Sequence, residues 1–283
     1  ALDANTTGGN NTAIGRSALT NNTDGGSNVA IGRVALNALT SGSQNVAVGA
    51  EALEKFTSGN NNTAVGFQAL EETTTGTKNV AVGAICLDAN TTGENNTALG
   101  YDALGLSTTA GSNTALGYEA LDTNTTGSFN TAVGAGALDG NTTASNNVAV
   151  GKHALLVNST GTGHVAIGVN ASDAITTNNY TTAVGFNVLT ANTASNLVSV
   201  GAYSLNANTT GDYNTACGYS ALELNTTGAQ NTAVGHKALE ANSTADNNTA
   251  FGYEALKANT TGTQNVAVGT SALDANTTAN YNI

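Results

Sequence analysis

The sequence predicts an all-β fold, a parallel β-solenoid (β-roll) of about 16 coils. A glycine recurs 16 times along the 283 residues, and 14 of the 15 intervals between successive copies are 17 residues long. Each copy closes a short run of β-favouring residues, as in Asn11-Thr12-Ala13-Ile14-Gly15. Between these runs Asn, Thr and Gly dominate, and these residues form turns readily and helices poorly.

One repeat reads N-[TV]-A-[VIL]-G-x-x-A-L-x-x-N-T-[TS]-G-x-x. Its first five residues predict a strand, and N-T-T-G predicts turns. Coils stacked at about 4.8 Å would give a rod roughly 80 Å long. The repeats run through residues 1–283, which predicts a single solenoid domain.

The coils within residues 164–205 depart from the repeat. His164, Thr181 and Leu197 replace the first Asn, Ser172 replaces the Leu, and one coil is a residue short. These changes fit either a tolerated kink or bulge, or a specialised contact zone.

Stacking turns each repeat position into a column, so the residues found in a column indicate its surroundings. The glycine never varies, which predicts a positive φ or a close approach of the next coil. The residue before it is always apolar, which predicts a core position. Examples of that apolar column are Ile14, Val48, Leu99, Cys217 and Phe251, and the glycine column includes Gly15, Gly32, Gly49, Gly66, Gly83 and Gly100.

The alanine two residues before each glycine, such as Ala30 or Ala47, faces the other way because side chains alternate along a strand. It is Ala in 15 of 16 units, which predicts a second buried surface. That surface is either a narrowed coil or a contact with another chain, and we favour the contact.

Leucines such as Leu36 and Leu53 are predicted to fill the core. The two Asn columns fit turn positions, where stacked amides bond the backbone and each other.

Composition excludes several function classes. Seven basic and 19 acidic residues give a net charge of −12, which argues against nucleic-acid binding. No stretch approaches the roughly 18 apolar residues of a membrane span, so no membrane insertion is expected. Two Cys and three His form no zinc or disulfide pattern, and no catalytic constellation occurs. The sequence therefore predicts neither an enzyme nor a cofactor-dependent protein.

The pentads Asn28-Val29-Ala30-Ile31-Gly32 and Asn45-Val46-Ala47-Val48-Gly49 resemble the head repeats of YadA-like trimeric autotransporter adhesins. The longer run from Asn113 to Leu121 is similar to repeats of phage tail fibres. This resemblance implies a left-handed β-roll, three chains side by side and a fibre exposed on a cell or virion. The unit here is longer than the usual adhesin-head coil, and Thr replaces Val at its second position in 9 of 16 units.

An acidic ladder follows the leucine column and includes the pairs Glu54 with Glu71 and Asp122 with Asp139. Carboxylates stacked at about 5 Å repel each other, so Ca²⁺ could bridge them. The alternative is a solvated edge that keeps the rod soluble.

Aromatic residues directly follow the glycine in several coils. They could contact a carbohydrate ligand, or pack between chains or against the next coil.

The N-T-T turns also create glycosylation sequons. These would be modified in a secreted eukaryotic protein, whereas in a bacterial or viral protein they serve only to form turns. The aromatic candidates are Tyr101, Tyr118, Tyr219 and Tyr253, and the sequon candidates are Asn90, Asn124, Asn208, Asn225 and Asn259.

Two further features complete the predictions. Cys86 replaces a small Ala and Cys217 a core Val, so both are predicted to be buried and too far apart for a disulfide. A Thr ladder that includes Thr91 and Thr125 suggests an ice-binding solenoid. Adjacent Thr residues point to opposite faces of an extended strand, which weighs against that function.

We therefore expect a structural or adhesive repeat protein that forms the rod of an extracellular fibre on a cell or virion surface. Its expected partner is itself, as a homotrimer or an end-to-end filament, with a carbohydrate or cell-surface receptor as a further partner. Regular spacing of identical faces would add many weak contacts together. The alternative is an ice-binding β-solenoid.

Overall fold

The computed structural model describes residues 1–283, which form two compact units, Ala1–Ser145 and Asn146–Ile283. Every regular element is a three-residue β-strand, and no helix long and apolar enough to cross a membrane is present. The first unit contains β1 (Thr12–Ile14), β2 (Val29–Ile31), β3 (Val46–Val48), β4 (Thr63–Val65), β5 (Val80–Val82), β6 (Thr97–Leu99), β7 (Thr114–Leu116) and β8 (Thr131–Val133). The second contains β9 (Val148–Val150), β10 (Val165–Ile167), β11 (Thr182–Val184), β12 (Val198–Val200), β13 (Thr215–Cys217), β14 (Thr232–Val234), β15 (Thr249–Phe251) and β16 (Val266–Val268).

Within each unit every strand pairs in parallel with the next strand along the chain. The register aligns equivalent repeat positions, so Ala13 pairs with Ala30. The short coil keeps this alignment, because Ala183 pairs with Ser199, 16 residues on. Each unit is thus a parallel β-solenoid with a 17-residue repeat, as predicted.

The interior of each coil is narrow and is filled by small residues and leucine. The central alanine of the strands is buried, as at Ala30 and Ala47, and so are Leu36 and Leu53. The predicted core role of the leucine column is confirmed. Burying each leucine contributes on the order of 2 kcal/mol.

Two predictions about the strands were wrong. The residue before each glycine lies on the outside, where Ile14 is 59% exposed and Phe251 is 56% exposed. The alanine column is not a contact with another chain, because its side chains are buried inside their own coil. Alternation along a strand allows either facing. The narrow coil selects it, because only a small side chain, Ala or in one coil Ser199, fits between the strand and the opposite wall.

The glycine column confirms both features predicted for it. Gly32 has a φ of 143°, and a Cβ placed on it would collide with the carbonyl oxygen of Gly49 in the next coil. Many other residues also adopt left-handed backbone, including the buried Leu36 with a φ of 50°. The tight coil therefore imposes a backbone that L-residues adopt at a cost.

Two ladders of buried asparagines satisfy the turn backbone, as predicted. In the ladder before the strand, Asn231 Oδ1 accepts the Asn248 N–H at 2.9 Å, and Asn231 Nδ2 donates to the Ala245 carbonyl at 2.8 Å. In the second ladder, Asn225 Nδ2 donates to Asn208 Oδ1 at 2.7 Å and to the Gly228 carbonyl at 2.9 Å. These bonds link consecutive coils at two corners.

Candidate functional site

One uncharged surface in each unit is the outer strand face, defined here as the first and third residues of every strand. These side chains are Thr, Val, Ile, Leu, Cys or Phe, and none carries a charge. Several are large and exposed, including Leu99, Leu116 and Ile167. Exposed apolar residues that are contiguous over a large area are uncommon on soluble monomers, so this face is a candidate interaction site.

Stacked rings border the outer strand face on the side of the glycine column. Tyr101 and Tyr118 stack with their centroids 5.7 Å apart and their planes at 11°. In the second unit His236 lies between Tyr219 and Tyr253, at 5.4 and 5.1 Å from them. These rings cover one another's faces, so they present their edges outward.

The aromatic stack of the second unit contains the predicted Tyr219 and Tyr253. It also contains Phe186, which directly follows its glycine like the predicted tyrosines, and Tyr203 extends it beyond the prediction. Phe186 and Tyr203 meet edge to face at 5.6 Å, and Tyr203 meets Tyr219 in the same way at 5.8 Å. His236 occupies the same repeat position as Tyr219, so the repeat alignment contained the signal for its place in the stack. Tyr203 lies one position further along its coil, which explains why the column did not reveal it.

A second set of aromatic residues lies at the other border of the outer strand face and was not predicted. Each residue directly precedes the Asn position that comes before a strand, or its equivalent, and each is strongly exposed. They are Phe129, Tyr180, Tyr213 and Tyr281. Their shared repeat position was a signal, although the other coils place polar residues there.

The predicted Glu54 and Glu71 pair lies together, and Glu51 joins it. Ligand oxygens of these three residues lie within 4.8 Å of one another. Burial raises the pKa of Glu71, and the nearby Glu72 carboxylate raises it further. Arg33 pairs with Glu51 and Lys55 with Glu72, so part of the charge is already neutralised. The three carboxylates could hold a hard cation such as Ca²⁺.

Asp122 belongs to a second acidic group. Burial, together with the nearby Asp102 and Asp139 carboxylates, raises its pKa to about 7. Carboxylate oxygens of Asp102 and Asp122 converge above Gly105, where a Cβ would collide with both. No basic residue occurs between Lys78 and Lys152 to neutralise this group.

The five sequon asparagines lie in the second Asn ladder and are buried. Each donates its Nδ2 to the carbonyl three residues on, as Asn124 does to Gly127 at 2.9 Å. A glycan would replace one of the two hydrogens on Nδ2, and in this buried position it would displace the neighbouring coil. The turn role given to these residues accounts for their geometry.

The predicted Thr ladder is tied to the backbone. Thr91 Oγ1 donates to the Thr108 carbonyl at 2.9 Å, and Thr125 Oγ1 donates to the Thr142 carbonyl at 3.0 Å. Hydroxyls used in this way bridge consecutive coils.

The two cysteines are free and differ in exposure. Cys86 is buried, as predicted, and burial raises its pKa to about 12. The prediction that Cys217 is buried was wrong, because it is the last residue of β13 and lies on the outer strand face. The error has the same cause as the inverted facing of the whole column.

Comparison with models of known protein families finds no match, and comparison with curated proteins finds no significantly similar sequence. The class of this protein therefore follows from its fold. It is a β-solenoid repeat protein whose coils have a small-residue core, two amide ladders and one uncharged outer face.

Proposed function

We propose that this chain is a structural repeat protein that self-associates through its outer strand face to form the rod of an extracellular fibre. The observation that carries the proposal is the exposure of large apolar residues on a regular, uncharged sheet face. Association would remove this surface from water, and each Å² of apolar area buried contributes about 25 cal/mol of favourable free energy. The resemblance to adhesin heads and tail fibres favours three parallel chains.

The flanking aromatic residues support the same assignment. Tyrosine and phenylalanine are enriched at protein interfaces, where large rings bury much surface at low entropic cost. The acidic residues Glu54, Glu71, Asp122 and Asp139 lie outside the outer strand face, so association through it buries none of them. A carbohydrate or surface receptor would then contact side chains that the assembly leaves exposed, among them the edges of the stacked tyrosines.

Native mass tests the proposal, measured by light scattering after size exclusion at several concentrations. We expect a constant mass of three chains for the wild type, and a smaller species for Leu116→Lys. The matched control is Leu106→Lys, because Leu106 is a leucine of similar exposure, 52% against 42%, that lies outside the strands. A monomeric wild type, or equal effects of the two substitutions, would contradict the proposal. Mass that grows with concentration would indicate an end-to-end filament instead.

Cys217 offers an independent readout of the same face. The Cys86→Ala variant leaves Cys217 as the single thiol and places at position 86 the residue most coils have there. We expect Cys217 to resist alkylation in the assembly and to react at the rate of an exposed thiol when Leu116→Lys is added. Rapid alkylation at every concentration would show that the face is uncovered.

The outer strand face also supports a second candidate function, ice binding. Thr alternates with branched aliphatic residues there in a regular array, as in Thr63-Ala64-Val65 and Thr131-Ala132-Val133. This candidate requires a monomer with an exposed face. It predicts thermal hysteresis that Leu116→Lys abolishes and Leu106→Lys preserves.

A further inference from the structure

His164 occupies a position that Asn holds in most coils, within the ladder that precedes the strand. A regular asparagine there has two tasks. Its Oδ1 accepts the backbone N–H of the residue 17 positions on, and its Nδ2 donates to the carbonyl 14 positions on, as Asn231 illustrates. A residue that replaces Asn must supply one acceptor and one donor in the same directions.

The imidazole of His164 supplies both. Its Nδ1 accepts the Thr181 N–H at 3.3 Å, and its Nε2 lies 2.7 Å from the Asn178 carbonyl. A backbone N–H can only donate, so Nδ1 carries no proton. A backbone carbonyl can only accept, so Nε2 carries the hydrogen. The ladder therefore selects one neutral tautomer, assigned here from its hydrogen-bond partners.

The surroundings of His164 disfavour the charged ring. The side chain is buried, and the groups bonded to it are backbone N–H and carbonyl groups. Burial lowers its pKa, the Asn178 carbonyl opposes this weakly, and no charged side chain contributes. In the next coil the buried Ser172 replaces a core leucine, and its Oγ has no partner.

We propose that His164 makes its coil open in acid. The opening begins at the hydrogen bond between His164 Nδ1 and the Thr181 N–H, called here the His164–Thr181 rung. Uptake of a proton from solvent turns Nδ1 into a donor that faces the Thr181 N–H. The rung then loses its acceptor and two donors oppose each other. A buried donor without a partner is costly, so the protonated coil opens locally.

The direction with pH follows from linkage. The folded state binds fewer protons at His164 than the unfolded state, so this rung stabilises the coil above about pH 6.5 and the stabilisation is lost as pH falls. The acidic side chain of the next coil, Asp173, has the opposite sign, because burial raises its pKa. A local measurement is therefore needed, since global melting would sum opposing effects.

Amide hydrogen exchange on the full chain, followed by mass spectrometry between pH 7.5 and 5 and corrected for intrinsic rates, provides this test. In the wild type we expect the opening constant of peptides covering 165–181 to rise several-fold as pH falls, because protonation of His164 removes the acceptor for the Thr181 N–H. His164→Asn restores the regular ladder and should remove the rise, while His153→Asn should behave as the wild type. An equal rise in His164→Asn would overturn the proposal. So would NMR evidence that Nδ1 of His164 is protonated at pH 7.5.

Discussion

Replacing Ser107 by asparagine should stabilise the first unit, because Ser107 interrupts the second Asn ladder. Asn90 Oδ1 and Ser107 Oγ are both buried without a partner. On the far side, Asn124 Nδ2 donates to the Gly127 carbonyl, and its other hydrogen has no equivalent of the Asn208–Asn225 bond to reach. One serine thus leaves three amide or hydroxyl groups short of the bonds that regular coils form.

The magnitude follows from those groups. An asparagine at position 107 would donate to Asn90 Oδ1 and to the Ala110 carbonyl, and would accept from Asn124 Nδ2. Each bond contributes about 0.5–1.5 kcal/mol, and ordering the longer side chain costs up to about 1.5 kcal/mol. We therefore expect a gain of about 2 kcal/mol in the free energy of unfolding, and a rise of several degrees in Tm.

Chemical denaturation with urea measures this change, and two variants provide controls. Ser107→Ala removes the hydroxyl without completing the ladder, so it should change stability little. In Leu39→Asn the new amide can donate to the unpartnered Asn22 Oδ1. The Oδ1 of the new side chain finds no donor, because Phe56 stands at the Asn position of the following coil. If Ser107→Asn is no more stable than Ser107→Ala, the ladder does not contribute as reasoned.

Three further predictions concern charge and backbone strain. Because the pKa of Asp122 is raised to about 7, its contribution to stability is most favourable below pH 4 and is lost as pH rises to about 7. Asp122→Asn should therefore raise the free energy of unfolding by about 1–2 kcal/mol at pH 8 and change it little at pH 3.5. Parallel urea titrations at the two pH values measure this. Val34 has a φ of 53°, which a β-branched residue adopts at a cost, so Val34→Asn should gain about 1 kcal/mol; Asn170 is a natural precedent in the same column with a φ of 54°. Gly49→Ala should cost at least about 3 kcal/mol by calorimetry, whereas Gly9→Ala, with open space around it, should be nearly neutral.

The period of the sequence was sufficient to predict the fold, because stacking converts a 17-residue interval directly into neighbouring coils. The same interval predicted the Glu54 and Glu71 contact. It could not predict that Glu51 joins them, since Glu51 and Glu54 lie three positions apart on one coil and their approach depends on the shape of the turn. Contacts between coils were thus predictable, and contacts within a coil were not.

The facing of the strands shows another limit of the sequence. Alternation separates Ala30 from Ile31 but does not say which of them is inside. Hydrophobicity favours the larger residue, and that choice put Ile31 and Cys217 in the core. The width of the interior decided the facing, because a narrow coil holds leucine at one wall and leaves room only for a small side chain at the strand. Width is a property of the closed coil, so no local pattern contains it.

Variation between coils bears on the proposal that the outer strand face is covered by a partner. Its 32 positions include no charged residue. The two positions that follow each glycine also number 32, and eight of them are Arg, Lys, Asp or Glu, such as Arg16, Glu51 and Lys237. Water alone would accept charge equally at both sets of positions, since both include strongly exposed side chains. The interior of the coil does not constrain outward-facing residues either. Strand positions also disfavour Asp, Glu and Lys, and an ice surface would reject charge as well. A second copy of this chain would present a surface that accepts Val, Leu, Phe and Thr there and rejects charge, as we propose.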